Sequence, residues 1–180
     1  MVDLFSGYKE LVKWYVGVNG ASSSKNHLFA CPADKFFPSF AATDAVPPWR
    51  WVRESLHNQQ FFHYSSYAFN GGDNKTRVSQ AGLWAPPGLT GRTLSSIRHP
   101  ARTVLVTEAS ALVPWSWHEA VFAQGEALPY TDARNVVSFV DGHVSYTKIY
   151  WSSVRLPGGG ISFAFMADPP AGYDYLWSGN

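Results

Sequence analysis

Six side chains could do chemistry together: His99, Glu108, His118, Asp132, Asp141 and His143. Histidines and carboxylates of this kind serve as metal ligands or as an acid–base set. Their spacing favours neither. There is no His-Glu-x-x-His, no paired cysteine and no Asp-x-Asp-x-Asp-Gly loop. Asp141 precedes Gly142, and a turn explains it. His143 reads as a surface residue on the polar face of a hairpin. Glu108 ends an apolar strand and reads equally as a buried, paired carboxylate or as a solvated strand end. A metal-dependent hydrolase built on His99, Glu108, His118 and His143 would need four separate segments to converge.

The nucleophiles are no more suggestive. Cys31 is the single cysteine, so no intrachain disulfide forms, and it reads as a buried, inert thiol rather than a reactive one. No Gly-x-Ser-x-Gly elbow is present. Gly158-Gly-Gly160 lacks the strand and lysine of a phosphate-binding loop and reads as a turn. Trp49, Trp51, Trp84, Trp115 and Trp117 lie in loop-like text. Rings of this type can form a sugar-stacking platform, although they more often pin loops onto a domain.

Composition narrows the class. A chain of 180 residues reads as one domain over 1–180. Charged residues make up 15% and net charge is +1, which excludes the basic surface that nucleic acid requires. Aromatics reach 16%, with 12 Pro and 15 Gly, a balance expected of a loop-rich extracytoplasmic protein. No run of about 20 apolar residues is present to span a bilayer.

The elements that would position these side chains follow from periodicity. Residues 3–16 read as a helix with Leu4, Phe5, Tyr8, Leu11, Val12, Tyr15 and Val16 on one face, and Ser6, Lys9, Glu10 and Lys13 on the other. Asp3 would cap its start, and Gly17 or Gly20 would end it. His27–Ala30 reads as a short strand, and Pro48 as the start of a short helix carrying Trp49, Val52 and Leu56. Phe61–Asn70 and Thr103–Glu108 read as strands. Residues 75–93 and 114–130 read as long loops. Asn135–Ile149 reads as a hairpin with Asp141-Gly142 in a type I′ turn. That turn pairs Val140 with His143 and Val137 with Tyr146. It places Val137, Phe139, Val144 and Tyr146 on one face. An amphipathic helix and a one-faced sheet must each bury a face, so the expected fold is α+β, with the helix stripe packed on a small antiparallel sheet.

Several motifs occur in a fixed order: the helix ending at Tyr15, Phe29-Ala-Cys-Pro-Ala-Asp34, Ser66-Tyr-Ala-Phe-Asn70, Leu94–Glu108 and Asn135–Val144. Over roughly residues 8–150 the chain resembles the soluble part of prepilin-type, type II secretion pseudopilin-like (PulG-like) proteins, in the group with a C-terminal His-x9-Asp-Gly signature. The resemblance implies a pilin-like fold and a structural, non-enzymatic subunit, periplasmic or at the cell surface. It implies inner-membrane anchorage through an N-terminal apolar helix that this chain would lack in its membrane half. The implied partners are other pilin or pseudopilin subunits and secretion-system components, with Trp115 and Trp117 facing them. The signature histidine falls at Thr131, so no role of that histidine carries over. Some members bind calcium near the end of the sheet, and Asp132 and Asp141 are the nearby carboxylates; otherwise no cofactor is implied. This reading requires the helix stripe to be covered by the sheet, with Phe139 and Tyr146 turned toward it. The competing readings are an extracytoplasmic glycan- or ligand-binding module on the same scaffold and the hydrolase above.

Overall fold

The computed structural model describes residues 7–35, 37–38, 51–52, 55–71, 88–89, 91–112, 116–119, 132–150, 153–155, 161–163 and 168–180. Asp3, Leu4, Phe5, Trp49, Trp84, Trp115, Thr131 and the Gly158-Gly-Gly160 turn lie outside these residues.

Chain order begins with a short helix, α1 (Tyr8–Val12), continued by a 3-10 turn over Lys13–Val16. Gly17 ends it at φ 75, and the Val18 amide donates to Lys13 O at 2.9 Å. This left-handed closure is the one that glycine adopts without steric penalty. Eight strands follow among the described residues: β1 (Phe37–Pro38), β2 (Trp51–Val52), β3 (Tyr67–Phe69), β4 (Val104–Glu108), β5 (Ala133–Phe139), β6 (Val144–Ile149), β7 (Ser153–Arg155) and β8 (Ile161–Phe163). The central sheet is antiparallel in the order β3-β4-β5-β6, while β1-β2 and β7-β8 form separate pairs. The architecture is α+β.

Several local expectations are corrected. His27–Phe29 is a 3-10 turn, not a strand. Trp51–Val52 is a strand, and Leu56–Asn58 a 3-10 turn, where a short helix was expected. Gln60–Phe62 is also 3-10, so the strand begins only at Tyr67.

The hairpin forms one residue out of the expected register. Ser138 pairs with Val144, Val137 with Ser145 and Val136 with Tyr146. The Phe139 amide donates to His143 O, and the Gly142 amide to Phe139 O, each at 2.9 Å. Only Gly142 has positive φ in this loop, at 93. This is a three-residue loop, a type I turn closed by a glycine bulge, rather than type I′. Because side chains alternate with period two, a one-residue slip transfers a strand's residues to the opposite face. Val137 and Phe139 therefore share a face with Thr147 and Ile149, while Val144 and Tyr146 stand on the other, 61% and 39% exposed.

The apolar face is covered from the other end of the chain. Val104, Ala111, Val137, Phe139 and Ile149 pack with Tyr175 and Trp177 of the C-terminal segment. Backbone bonds fix that segment: Val104 N donates to Leu176 O at 3.0 Å, and Leu176 N to Arg102 O at 2.7 Å. Buried Asn70 donates from Nδ2 to Val104 O (2.9 Å) and Trp177 O (2.8 Å). Asp168 caps the segment by accepting from the amides of Trp177 and Ser178 at 2.6 and 2.8 Å. A buried carbonyl needs a donor, so each of these bonds removes a desolvation cost while closing the tail on the sheet.

Candidate functional site

Helix α1 lies beside β3, but the wrong way round for an apolar stripe seeking a core. Tyr8 meets the Phe69 ring at 5.8 Å between centroids. Burial pushes its phenol up to about 12 against the opposing Ser65 hydrogen bond. Lys9 is fully buried and Lys13 nearly so, while Leu11 (74%), Trp14 (61%), Tyr15 (91%) and Val16 (49%) face solvent. The expectation that the stripe packs on the sheet is corrected for these residues.

The physical reason lies in the partners of the lysines. Lys9 Nζ donates to His63 O at 3.0 Å and Tyr64 O at 2.9 Å, and sits 4.8 Å from the Phe29 ring centre. His63 and Tyr64 hold φ values of 50 and 56, both in the left-handed region. Two consecutive non-glycine residues there are strained, and they turn two adjacent carbonyls toward the ammonium. Burial lowers the Lys9 pKa to about 8, with Glu10 acting in the opposite sense. Lys13 donates to Gly20 O at 2.6 Å and pairs with Glu10, which also accepts from Ser22. The Lys13 and Ser22 hydrogen bonds hold the Glu10 carboxyl below its usual range. A charge buried with paired donors locks its element in one orientation, because freeing it would leave polar groups unpaired. The apolar side of α1 is therefore held outward.

A second cluster forms on the opposite side of β4 from the tail. Glu108 ends β4 at 1% exposure, so it is the buried, paired carboxylate. Its Oε1 lies 3.1 Å from Cys31 Sγ and 2.7 Å from His118 Nε2, and its Oε2 accepts the Val136 amide at 2.8 Å. Cys31 Sγ and His118 Nε2 are 3.7 Å apart. The Cys31 segment follows the His27–Phe29 turn, whose Phe29 carbonyl accepts the Ser66 amide at 2.8 Å. His118 is placed by the Ser116 hydroxyl, which accepts the amides of His118 and Glu119 at 3.2 and 3.0 Å. The His118 ring stands edge-on to Tyr146 at 6.1 Å.

This arrangement does not suit thiol catalysis. Glu108 and Cys31 meet the same histidine nitrogen, whereas a Cys-His-acid relay needs one partner on each nitrogen. Burial, reinforced by Glu108, pushes the Cys31 thiol up to about 12. Burial likewise raises neighbouring Tyr67 to about 12.

The remaining candidates lie elsewhere. His99 accepts from Thr103 through its carbonyl. His143 stacks on Phe139 at 4.4 Å, and its Nδ1 pairs with Asp141 at 2.6 Å. The four-residue hydrolase constellation is not assembled; Glu108 and His118 alone of that set meet. Asp132 flanks β5 at its start and Asp141 lies beyond its end. Seven residues at roughly 3.3 Å each put them too far apart to share one calcium ion. Trp117, expected to face a partner, is buried at 6% exposure within this chain.

No family model, no curated protein and no solved structure matches this chain.

Proposed function

We propose that the chain is a structural, non-enzymatic subunit of an extracytoplasmic pilin-like assembly, and that the outward side of α1 contacts neighbouring copies. The observation that carries this reading is the orientation of α1. Its lysines are tied to the body while Leu11, Trp14, Tyr15 and Val16 are presented to the surroundings. Exposing several large apolar groups on one short element is costly in water unless another surface covers them. The apolar residues Val2, Leu4 and Phe5 continue that character toward the N-terminus. Filament subunits of the family that the sequence resembles bundle through their first helix, and the body then projects outward. The sheet-covered stripe and the inward-turned Tyr146 that this reading called for are not found among the described residues, so it rests on the exposed ridge and on the sequence resemblance, not on helix–sheet packing.

The test uses the cells that make the protein. Filamentous material sheared from the envelope should contain the wild-type chain and should lose it when Leu11 and Tyr15 are both replaced by Glu. Recovery of both forms as free, unassembled protein would refute the reading.

A further inference from the structure

We infer that Cys31, Glu108 and His118 form a binding site for one divalent cation of the zinc class, with a solvent-facing fourth position. Among the described residues, these three ligand atoms lie within 4.8 Å of one another. They come from three segments separated by 77 and 10 positions along the chain. Thiolate, carboxylate and imidazole nitrogen make up a borderline-soft donor set, the kind zinc prefers over calcium or magnesium.

The separations are close to those of a coordination tetrahedron. With zinc–sulfur near 2.3 Å and zinc–nitrogen or –oxygen near 2.0–2.1 Å, the edges should measure about 3.3–3.6 Å. The observed edges are 3.7, 3.1 and 2.7 Å. Two edges are short: the shorter involves His118, whose side chain is 39% exposed and can swing outward by roughly half an ångström, and the Cys31–Glu108 edge must open by about 0.4 Å. Its exposure also opens the fourth position to water.

Charge and support agree with this assignment. On binding, the Cys31 thiol proton leaves to solvent and the ion takes its place. A dication beside one thiolate, one carboxylate and one neutral imidazole gives a site of zero net charge, the arrangement that a buried location tolerates best. The Val136 amide on Glu108 Oε2 fixes the carboxylate from behind, as outer hydrogen bonds do for metal ligands. The ion would clip the segments around Cys31 and His118 to the end of β4, inside a single chain, whatever the chain assembles with.

Cobalt(II) titration of the reduced 180-residue chain, read by absorbance, tests the site. An equimolar complex should show a thiolate-to-cobalt charge-transfer band and tetrahedral visible bands, both displaced by zinc. Cys31→Ser should abolish the charge-transfer band. His118→Asn changes an exposed side chain, should keep the circular dichroism of the parent, and should weaken binding at least about a hundredfold. Absence of a thiolate band from folded wild-type protein would overturn the assignment. So would equal binding by wild type and both variants, which would place the ion on other histidines.

Discussion

The ammonium of Lys9 lies 2.9 Å from the carbonyl oxygen of Tyr64, and this contact decides which side of the first helix meets water. A lysine that would ordinarily be solvated is fully buried. The tyrosine at the other end is held in the left-handed region at φ 56. Each explains the other: the strained backbone offers carbonyls, and the cation satisfies them.

Replacing Lys9 by Met should cost about 2–4 kcal/mol, because two carbonyls are left without their donor. Replacing Leu11 by Glu should change the stability of the isolated chain by no more than about 0.5 kcal/mol, since that side chain is already in water. Denaturant unfolding of the two variants should therefore rank them against their hydropathy. The opposite ranking would show that the apolar side is the buried one.

The pH dependence of the same residue has a definite sign. The Lys9 pKa falls from 10.5 in the unfolded chain to about 8 in the folded one. Between those values the unfolded state binds the proton and the folded state does not, so stability rises with pH across the window. Below about 8 both states are protonated and the burial cost is fully expressed. Raised tyrosines and Cys31 act in the reverse direction at higher pH, so the comparison should be wild type against Lys9→Met. The stability of wild type relative to that variant should climb from pH 8 to 10.5; a difference that stays flat would contradict the assignment.

At the hairpin tip, Gly142→Ala should destabilise by about 1 kcal/mol or more, because φ is 93 there. Asp141 keeps a negative φ, so Asp141→Ala should lose its side-chain contact with His143 without adding backbone strain. A type I′ turn would strain both alanines. Thermal melts of the two variants distinguish these geometries.

Cys31 should be slow toward alkylating reagents. Its thiol is shifted from 9.0 to about 12, which lowers the thiolate fraction near pH 8 by roughly a thousandfold before access is counted. Mass spectrometry should find little adduct on native protein and full labelling after denaturation. Rapid native labelling would mean that the thiol is neither buried nor paired with Glu108.

Much of the sheet is legible in the sequence. The β-branched run Thr103–Glu108 gives β4 almost residue for residue, and the alternation from Asn135 to Ile149 gives β5 and β6. The register is not legible, because Asp-Gly suits both a two-residue turn and a three-residue loop closed by glycine, and the choice reverses a face. The orientation of α1 is hidden for a different reason. Periodicity separates an apolar side from a polar one, but it cannot reveal that residues 54 and 55 positions away supply carbonyls for Lys9. The Cys31–Glu108–His118 cluster depends on three distant segments and carries no spacing signal. The core role of Tyr175 and Trp177 had a faint one, in the alternation Tyr173-Asp174-Tyr175-Leu176-Trp177, with Asp168 upstream as a cap.

The most direct test of the assembly account is cross-linking from the exposed ridge. Tyr15→Cys places a thiol at a position 91% exposed, while the native Cys31 is buried and serves as a silent background. Treating intact producing cells with a short bis-maleimide should yield a covalent dimer of this chain, since each copy offers one accessible thiol. A parallel Lys25→Cys variant, on the exposed turn before His27–Phe29 and outside α1, should yield far less dimer. Monomer alone from Tyr15→Cys, with the protein present at normal level in the envelope, would contradict the account.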